Sequence, residues 1–460
     1  MQDNQFKTLK IKPEILKNLG LLDFKEMTEI QSQSLPHILA RKDVIGQAQT
    51  GSGKTVAFGL GVLSHTIVAD PYVQSLILCP TRELAAQVAV ELRKLARLTE
   101  NLKVLVLSGG TPMGPQIASL EHGAHVVVGT PGRVLDHLGK RTLYLGQLKT
   151  LVLDEADRML DMGFAEDIQK IIRRTPNSRQ TLLFSATFPA EISEMSKHIQ
   201  RDPLHISADQ PSQNIDIEQF FFETKKDEKY ENLLSLIAQY KPKSSIIFCT
   251  TKIQCDDVAN YLCNHGLAAL AIHSDLEQEE RDEVMVRFAN QSASFLVATD
   301  VAARGLDVKD LSAVINFELS KDPEIHVHRI GRTGRAGNKG LALNLYNRSE
   351  VFRIKAIEEF IGQDLPRECP LNKFTDHTIN LKPSMVTVKI SGGKKNKLRP
   401  GDILGALTKD AGIEGKHIGK INIFDHHSYV AIHKSHAETA KEKLTSSKIK
   451  NRNFHLRIIR

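Results

Sequence analysis

Hydrophobic and polar positions divide this chain into three patterned stretches. From Val44 to about Ala208, short aliphatic runs recur with room for a helix between them: Val44-Ile45, Ser75–Cys79, Val104–Leu107, Val126–Val128, Leu151–Leu153 and Thr181–Phe184. Continuous apolar runs, as opposed to alternating ones, belong to strands covered on both faces, as in a parallel sheet flanked by helices. The polar segment Asp209-Gln210-Pro211-Ser212-Gln213-Asn214 has the composition of a linker. The pattern then restarts with Phe220–Phe222, Ser245–Phe248, Ala268–Ile272, Phe295–Ala298, Ala313–Asn316 and Gly340–Leu345, ending near Leu365. Two doubly wound α/β domains follow from this. Residues up to about Arg41 read as a helical cap, with Pro13 opening one helix and Pro36 inside another.

After a second break, Leu371 to Pro383, the chain reads βαββαβ: Val386–Ile390, a helix opened by Pro400 with Asp402 in its first turn, Ile418–Phe424, Tyr429–Ile432, a helix from His436 to Leu444, and Phe454–Ile459. The expected organisation is residues 1–208, a linker 209–219, residues 220–370, a linker 371–384, and a small α+β, RRM-like domain over 385–460.

Chemistry collects where the apolar runs stop. The run Leu151-Val152-Leu153 ends in Asp154-Glu155-Ala156-Asp157. Buried carboxylates without partners cost several kcal/mol each, so this strand end implies a cation or a hydrogen-bond partner. It lies upstream in Ala48-Gln49-Thr50-Gly51-Ser52-Gly53-Lys54-Thr55, a phosphate loop after Val44-Ile45 and before a helical stretch from Val56 to Ile67. Gly51 and Gly53 let backbone N–H groups curl round phosphate oxygens, Lys54 reaches the β- and γ-phosphates, and the Thr55 hydroxyl binds Mg²⁺. Asp154 then holds that Mg²⁺, largely through water, and Glu155 orients and deprotonates the attacking water. Ala48 stands where the general loop pattern has Gly.

Composition narrows the class. Five cysteines without a CxxC pair suggest neither a disulfide framework nor a zinc site. The N-terminus lacks a signal-peptide hydrophobic region and no apolar run is long enough to span a membrane, so a cytoplasmic protein is expected. The net charge of +7 is unevenly placed. From Met385 onward sixteen Lys and Arg face six Asp and Glu, while the rest is slightly acidic. A tail that basic expects a polyanion.

The tetrad Asp154-Glu155-Ala156-Asp157 spells DEAD, and its companions occur in order: Gln31, AQTGSGKT ending at Thr55, PTRELA from Pro80, Gly109-Gly110, TPGR from Thr130, Ser185-Ala186-Thr187, IIFCTT from Ile246, ATDVAARGLD ending at Asp307, and HRIGRTGR from His328. On these motifs, from Phe24 to Arg335, the chain resembles the DEAD-box RNA helicases. The resemblance implies two RecA-like domains, ATP and Mg²⁺ as cofactors, and RNA as partner. It places Gln31 on the adenine edge and Phe24 on its ring, although the surrounding MTEIQ lacks both prolines of the usual PTPIQ. Asp307 takes the ribose hydroxyls, and Arg332 and Arg335 act as arginine fingers on the γ-phosphate. His328 and Arg329 hold the interface between the domains, and Ser185 and Thr187 couple the nucleotide to the RNA through Asp157. Backbone contacts to RNA fall to Pro80, Thr81, Arg82, Gly109, Gly110, Thr130, Pro131, Gly132 and Arg133 in the first domain, and to Gln278, Arg281 and Thr299 in the second.

The tail, through GGKKNKLRPGDILGALTKDAGI and IGKINIFDHHSYVAI, resembles the C-terminal RNA-binding domain of DbpA-type helicases. That implies a hairpin of large-subunit ribosomal RNA as target and pre-large-subunit particles as partners of a monomeric enzyme. The usual RRM stacks bases on aromatics of its two central strands; here those places hold Thr387 or Lys389, and His427 and Tyr429. RNA is therefore expected mainly on the basic loop Lys394, Lys395, Lys397 and Arg399, with Tyr429 auxiliary.

Overall fold

The computed structural model describes residues 4–48, 51–208, 217–303, 311–334, 339–366, 371–372, 379, 381–446, 449–450 and 452–459. The expected positions Gln49, Thr50, Asp307 and Arg335, most of the first linker and half of the second lie outside these residues. The chain divides into two compact units, one built on its first half and one on the remainder.

In the first unit, seven parallel strands are laid down as β1 (Val44–Gln47), β2 (Ser75–Leu78), β3 (Val104–Leu107), β4 (Val126–Gly129), β5 (Thr150–Asp154), β6 (Gln180–Ser185) and β7 (Leu204–Ser207). Their order is β3-β4-β2-β5-β6-β1-β7. The central strands β2, β4, β5 and β6 are buried throughout, which is why their sequences run apolar without alternation. One face packs on the helices Glu29–Leu39, Lys54–His65 and Arg82–Leu95 through residues such as Leu35, Phe58 and Val88. The other packs on Pro131–Gly139, Ala165–Ile172 and Ala190–Ile199 through Val134, Ile168 and Ile192. β7 is missing from the sequence reading because it is an edge strand with only Ile206 buried, so no apolar run announces it. The cap is as expected, with helices Pro13–Leu21, opened by Pro13, and Glu29–Leu39, which contains Pro36.

The second unit repeats the plan. Strands β8 (Ile217–Glu223), β9 (Ser245–Cys249), β10 (Ala269–Ile272), β11 (Phe295–Thr299), β12 (Ala313–Asn316) and β13 (Gly340–Tyr346) are all parallel, in the order β10-β11-β9-β12-β13-β8. This is the first order without its last strand, β8 standing in the place of β1 and β12 in that of β5.

The same unit carries a four-stranded antiparallel sheet of β14 (Met385–Ile390), β15 (Ile418–Ile423), β16 (Ser428–His433) and β17 (Leu456–Ile459), ordered β15-β16-β14-β17. Apart from a register shift in β15 between Ile418 and Ile421, alternation with period two divides its faces. Val388, Ile390, Val430 and Ile432 form a core with Ile403, Leu407 and Leu444 from the connecting helices. The opposite face carries Thr387, Lys389, Tyr429 and Ile459, and lies on the helix Gln278–Ala289 and the residues that follow it. Tyr429 is fully buried against Val286 and Ile459, with its hydroxyl 3.4 Å from Glu283. Lys389 bridges Glu279 at 2.9 Å and Glu283 at 3.2 Å. Burial alone would push its ammonium pKa down, but the two carboxylates hold it above its ordinary value. Thr387 meets the Ser292 hydroxyl at 2.7 Å. The expectation that Tyr429 assists RNA stacking is thereby corrected, because the face that carries it is closed by another part of the chain.

Candidate active site and nucleic-acid interface

Strand order decides what can meet at the carboxyl edge of the first sheet. β1 and β5 are separated only by β6, so at about 4.8 Å per step their ends stand roughly 10 Å apart. The phosphate loop leaves β1, the acids end β5, and Ser185 ends β6 between them.

Gly51 and Gly53 have φ of 92° and 96°, the left-handed region where a side chain is strained. Gly53 has a second constraint, since a Cβ there would sit 2.3 Å from Gln31 Nε2. The Gln31 amide donates to Gly53 O at 3.1 Å and its Oε1 accepts from Thr28 N at 3.0 Å. Gln31 thus joins the cap to the phosphate loop, keeping one N–H and one lone pair for a ligand. Phe24 packs edge-on against Phe6, with centroids 6.3 Å apart.

Lys54 opens the helix Lys54–His65 and folds back to Ala48 O at 2.5 Å. Burial pushes its ammonium down, opposed by Asp154, Glu155 and Asp157. Asp154, at the end of β5, is pushed up to about 7 by burial and then by Glu155, with Lys54 opposing. Both groups are therefore drawn toward neutrality, as two charges short of partners are. Glu155 has φ 52° and ψ 53°, left-handed backbone at a non-glycine residue, which turns the strand abruptly into the helix Ala156–Asp161. That conformation costs on the order of 1 kcal/mol and is tolerated where the surroundings enforce it, commonly at functional positions. Its Oε2 lies 3.4 Å from Arg158 Nε without a hydrogen bond, and the buried Ser52 Oγ also has none among the described residues. These orphaned polar atoms beside a lysine and two glycine turns fit a hydrated triphosphate.

Asp157 is held by the loop after β6. Its Oδ2 accepts from Thr187 Oγ1 at 3.0 Å, Thr187 N at 3.2 Å and Ala186 N at 3.3 Å, while its own N–H donates to Ser185 Oγ at 3.3 Å. Burial alone would raise its pKa, but the Ser185 hydroxyl and Arg158 hold the carboxyl below the usual range. The expected pairing of Ser185 and Thr187 with Asp157 is present in the geometry.

Three further loops converge at the ends of β2, β3 and β4. Arg82 lies on Gly109, where a Cβ would sit 3.1 Å from its guanidinium. Arg133 Nη1 donates to Thr111 O at 3.0 Å and to Gln116 Oε1 at 3.1 Å. Arg82, Gly110 and Gly132 are exposed, and Gly109, Thr130 and Arg133 half-buried. Pro80, Thr81 and Pro131 are buried, and the Thr81 hydroxyl caps the helix Arg82–Leu95 by accepting from Leu84 N, so these three shape the loops from within. Gln116 and His137 belong to this network, and sequence reasoning missed them because neither sits in a motif.

In the second unit the candidates are more dispersed. Arg329 is nearly fully buried and saturated, with Nε and Nη2 on Asp300 at 2.6 and 2.7 Å and Nη1 on Asn316 Oδ1 and Glu318 O. Its expected role at an interface between domains is corrected accordingly: its guanidinium is committed inside its own domain. Arg281 donates to His273 O at 2.9 Å and is mostly buried, Gln278 donates to Asp282, and Thr299 Oγ1 accepts from Ala302 N. His328 lies in the last turn of the helix Pro323–Ile330, and Arg332 follows the helix. In the small domain Lys394, Lys395, Lys397 and Arg399 are all exposed, on a loop anchored by buried Leu398. The loop starts from Gly393, where a Cβ would meet Phe424 O, and is tied by Lys394 N to Phe424 O and Lys395 N to Asp425 O.

A phosphate loop on one parallel sheet, paired with a second sheet of the same order lacking such a loop, defines a P-loop ATPase of the two-domain helicase class. Residues 28–195 match the DEAD/DEAH box helicase family, 228–337 the helicase conserved C-terminal domain, and 387–458 the DbpA RNA binding domain. The chain is 50% identical over 456 residues to the ATP-dependent RNA helicase DbpA of Escherichia coli K12, covering 99% of both chains. It is 41% identical over 363 residues to the DEAD-box ATP-dependent RNA helicase CshA of Bacillus subtilis, covering 79% of this chain and 73% of that one. Among solved structures, S. cerevisiae Dbp5 bound to RNA and ADP BeF3 superposes with a TM-score of 0.71 at 32% identity, over 79% of this chain and 95% of that one. The chain belongs to the DEAD-box ATP-dependent RNA helicases and carries a DbpA-type RNA-binding domain. No helix among the described residues is long and apolar enough to cross a membrane.

Proposed function

We propose that this helicase is delivered by its C-terminal domain to a hairpin of large-subunit ribosomal RNA, and opens short duplexes there during ribosome assembly in the cytoplasm, acting as a monomer on pre-large-subunit particles. The observation that supports the target is the DbpA RNA binding domain over residues 387–458, beside 50% identity to a DbpA along the whole chain. With the face around Tyr429 closed, the exposed loop Lys394, Lys395, Lys397 and Arg399 is the surface for the phosphates. Backbone contacts by the core carry little sequence information, so selectivity falls to this domain.

For the reaction itself, Lys54 and the backbone of Gly51 to Thr55 bind the triphosphate, and Gln31 and Phe24 meet the base. Thr55 and Asp154 would hold Mg²⁺, which supplies charge neutralisation at the phosphates when bound. Glu155 orients and deprotonates the water. Arg332 and Arg335 supply positive charge to the transferred phosphoryl group, Asp307 takes the ribose, and His328 assists closure. Arg82, Gly109, Gly110, Thr130, Gly132, Arg133, Gln278, Arg281 and Thr299 serve the RNA side, and Asp157 with Ser185 and Thr187 links it to the nucleotide.

The test compares stimulation of ATP hydrolysis by ribosomal RNA and by a homopolymer, in the full chain and in a full chain with Lys394, Lys395, Lys397 and Arg399 changed to Gln. The variant should lose the preference for ribosomal RNA, and the slope of log affinity against log salt should flatten by roughly 0.7–0.9 for each phosphate that is no longer neutralised. An unchanged ratio of activation by the two RNAs would show that this loop does not deliver the enzyme.

A further inference from the structure

Behind the loops at the ends of β3 and β4 lies a set of hydrogen bonds centred on Gln116 and His137. Gln116 stands in the helix Met113–Glu121 and is 7% exposed; His137 stands in the helix Pro131–Gly139 and is 0% exposed. The amide orientation follows from its neighbours, because a guanidinium only donates. Gln116 Oε1 therefore faces Arg133 Nη1 at 3.1 Å, and its Nε2 donates to Ser108 O at 3.1 Å and Thr111 Oγ1 at 2.6 Å. The same Oε1 lies 2.9 Å from His137 Nε2, so that nitrogen must carry the proton. Nδ1 is then the nearer acceptor for the Thr142 hydroxyl, at 2.8 Å against 3.2 Å to His137 O. Burial, then Arg133, push the imidazole pKa down, consistent with a neutral ring of this one tautomer.

Apart from the one to His137, the side-chain hydrogen bonds of Gln116 end on the Gly109-Gly110 loop and on the first turn of the helix Pro131–Gly139. Ser108 and Thr111 flank Gly109-Gly110, and Arg133 is the last residue of the TPGR motif. Without Gln116, the partners of the Arg133 side chain among the described residues would be Thr111 O and the neighbouring Asp136, whose carboxylate lies 3.5 Å from Nε. Losing one member of a buried hydrogen-bonded network leaves its partners unpaired, and Arg133 Nε already lacks a hydrogen bond.

We propose that Gln116 and His137 are positioning residues for RNA: a buried amide and imidazole that hold Arg133 and the Gly109-Gly110 loop in one register, presenting a preformed surface to the phosphates. The proposal rests on reading these two loops as the RNA-facing edge. Neither residue touches RNA or nucleotide. Their effect falls on the RNA concentration that half-activates the ATPase, while the ATP site on β1 and β5 is left as it is.

The test uses the full chain with poly(U) as the RNA, reading half-activating RNA concentration, turnover at saturating RNA, KM for ATP, and melting temperature. Gln116→Leu and His137→Asn should each raise the half-activating concentration by about tenfold, the worth of one buried hydrogen bond, with KM for ATP unchanged. His137→Gln places an amide N–H where Nε2 stood and should restore near-normal activation. The proposal is overturned if Gln116→Leu and His137→Asn activate at the wild-type RNA concentration. It is equally overturned if His137→Gln loses as much as His137→Asn and the losses follow the melting temperatures, since the network would then be ordinary core. Wild-type protein that neither poly(U) nor ribosomal RNA activates would instead overturn the reading of the loops, and the proposal with it.

Discussion

The two parallel sheets of this chain share a strand order and differ in what stands at its carboxyl edge. After β2 and after β9 the same local device recurs: Thr81 caps its helix by accepting from Leu84 N, and Thr251 by accepting from Gln254 N, both at 3.2 Å. At the ends of β5 and β12 the likeness stops. Asp154 is buried beside another acid and pushed toward its neutral form, whereas Asn316, the last residue of β12, donates to Asn344 at 2.7 Å and accepts from Arg329 at 2.8 Å. The end of β5 thus holds a carboxyl drawn toward neutrality, and the end of β12 an amide hydrogen-bonded through both of its polar atoms. A polar group left without partners inside a fold costs stability and is kept where a ligand supplies the partner, so the nucleotide chemistry resides on the first sheet.

The largest effect that tests this contrast is catalytic. Glu155→Gln should retain ATP binding but lower RNA-stimulated turnover by about 10²- to 10⁴-fold, the usual range for a positioned general base, whereas Lys54→Ala should weaken ATP binding itself. Near-normal turnover in Glu155→Gln would remove that residue from the mechanism.

Stability should move in opposite directions at the two equivalent strand ends. Asn316→Leu strands Arg329 and Asn344 and should destabilise the second unit by about 2–3 kcal/mol in urea unfolding. Asp154→Asn removes a buried charge and should raise the melting temperature of the nucleotide-free protein, at about 2–4 °C per kcal/mol for a domain of this size, while abolishing hydrolysis. A destabilised Asp154→Asn would mean that its carboxylate is well satisfied without ligand.

Acid should act on the second sheet through His326, which is buried against Gln219 at 3.0 Å and whose pKa burial lowers to about 3. Because the folded value lies below the unfolded one, the unfolded chain binds the extra proton, and stability falls as pH drops from about 6.5 toward 3. The slope is about 1.4 kcal/mol per pH unit inside that window, and His326→Gln should remove it in urea titrations at pH 6 and pH 4.

Smallest are the changes where the four-stranded sheet meets the helix Gln278–Ala289. Lys389→Ala breaks a half-sheltered pair of ion contacts and should cost about 1 kcal/mol. Tyr429→Phe, which removes only a long hydrogen bond of 3.4 Å, should cost less than about 0.5 kcal/mol. A Tyr429→Phe variant with impaired RNA binding would reopen the question of whether that face meets RNA.

The two α/β repeats, the order of the small domain's elements and the phosphate loop with its acids were legible in the sequence, because each is a local signal. An unbroken aliphatic run marks a strand covered on both faces, Pro400 with Asp402 opens a helix, and glycines at Gly51 and Gly53 mark turns that other residues resist. The edge strand β7 was not legible, since its burial is confined to Ile206.

What only the tertiary structure decided is how polar side chains are committed. Arg329 reads as an interface arginine and turns out to be saturated inside the second domain, and Tyr429 reads as an auxiliary RNA contact and is covered by Val286 and Ile459. Gln116 and His137, silent in the sequence, lie at the centre of a network across 21 positions of chain. Sequence determines the period and the local turn chemistry, which depend on residues a few positions apart. The partner of a buried amide or guanidinium depends on which strands become neighbours, and for that the folded sheet order was required.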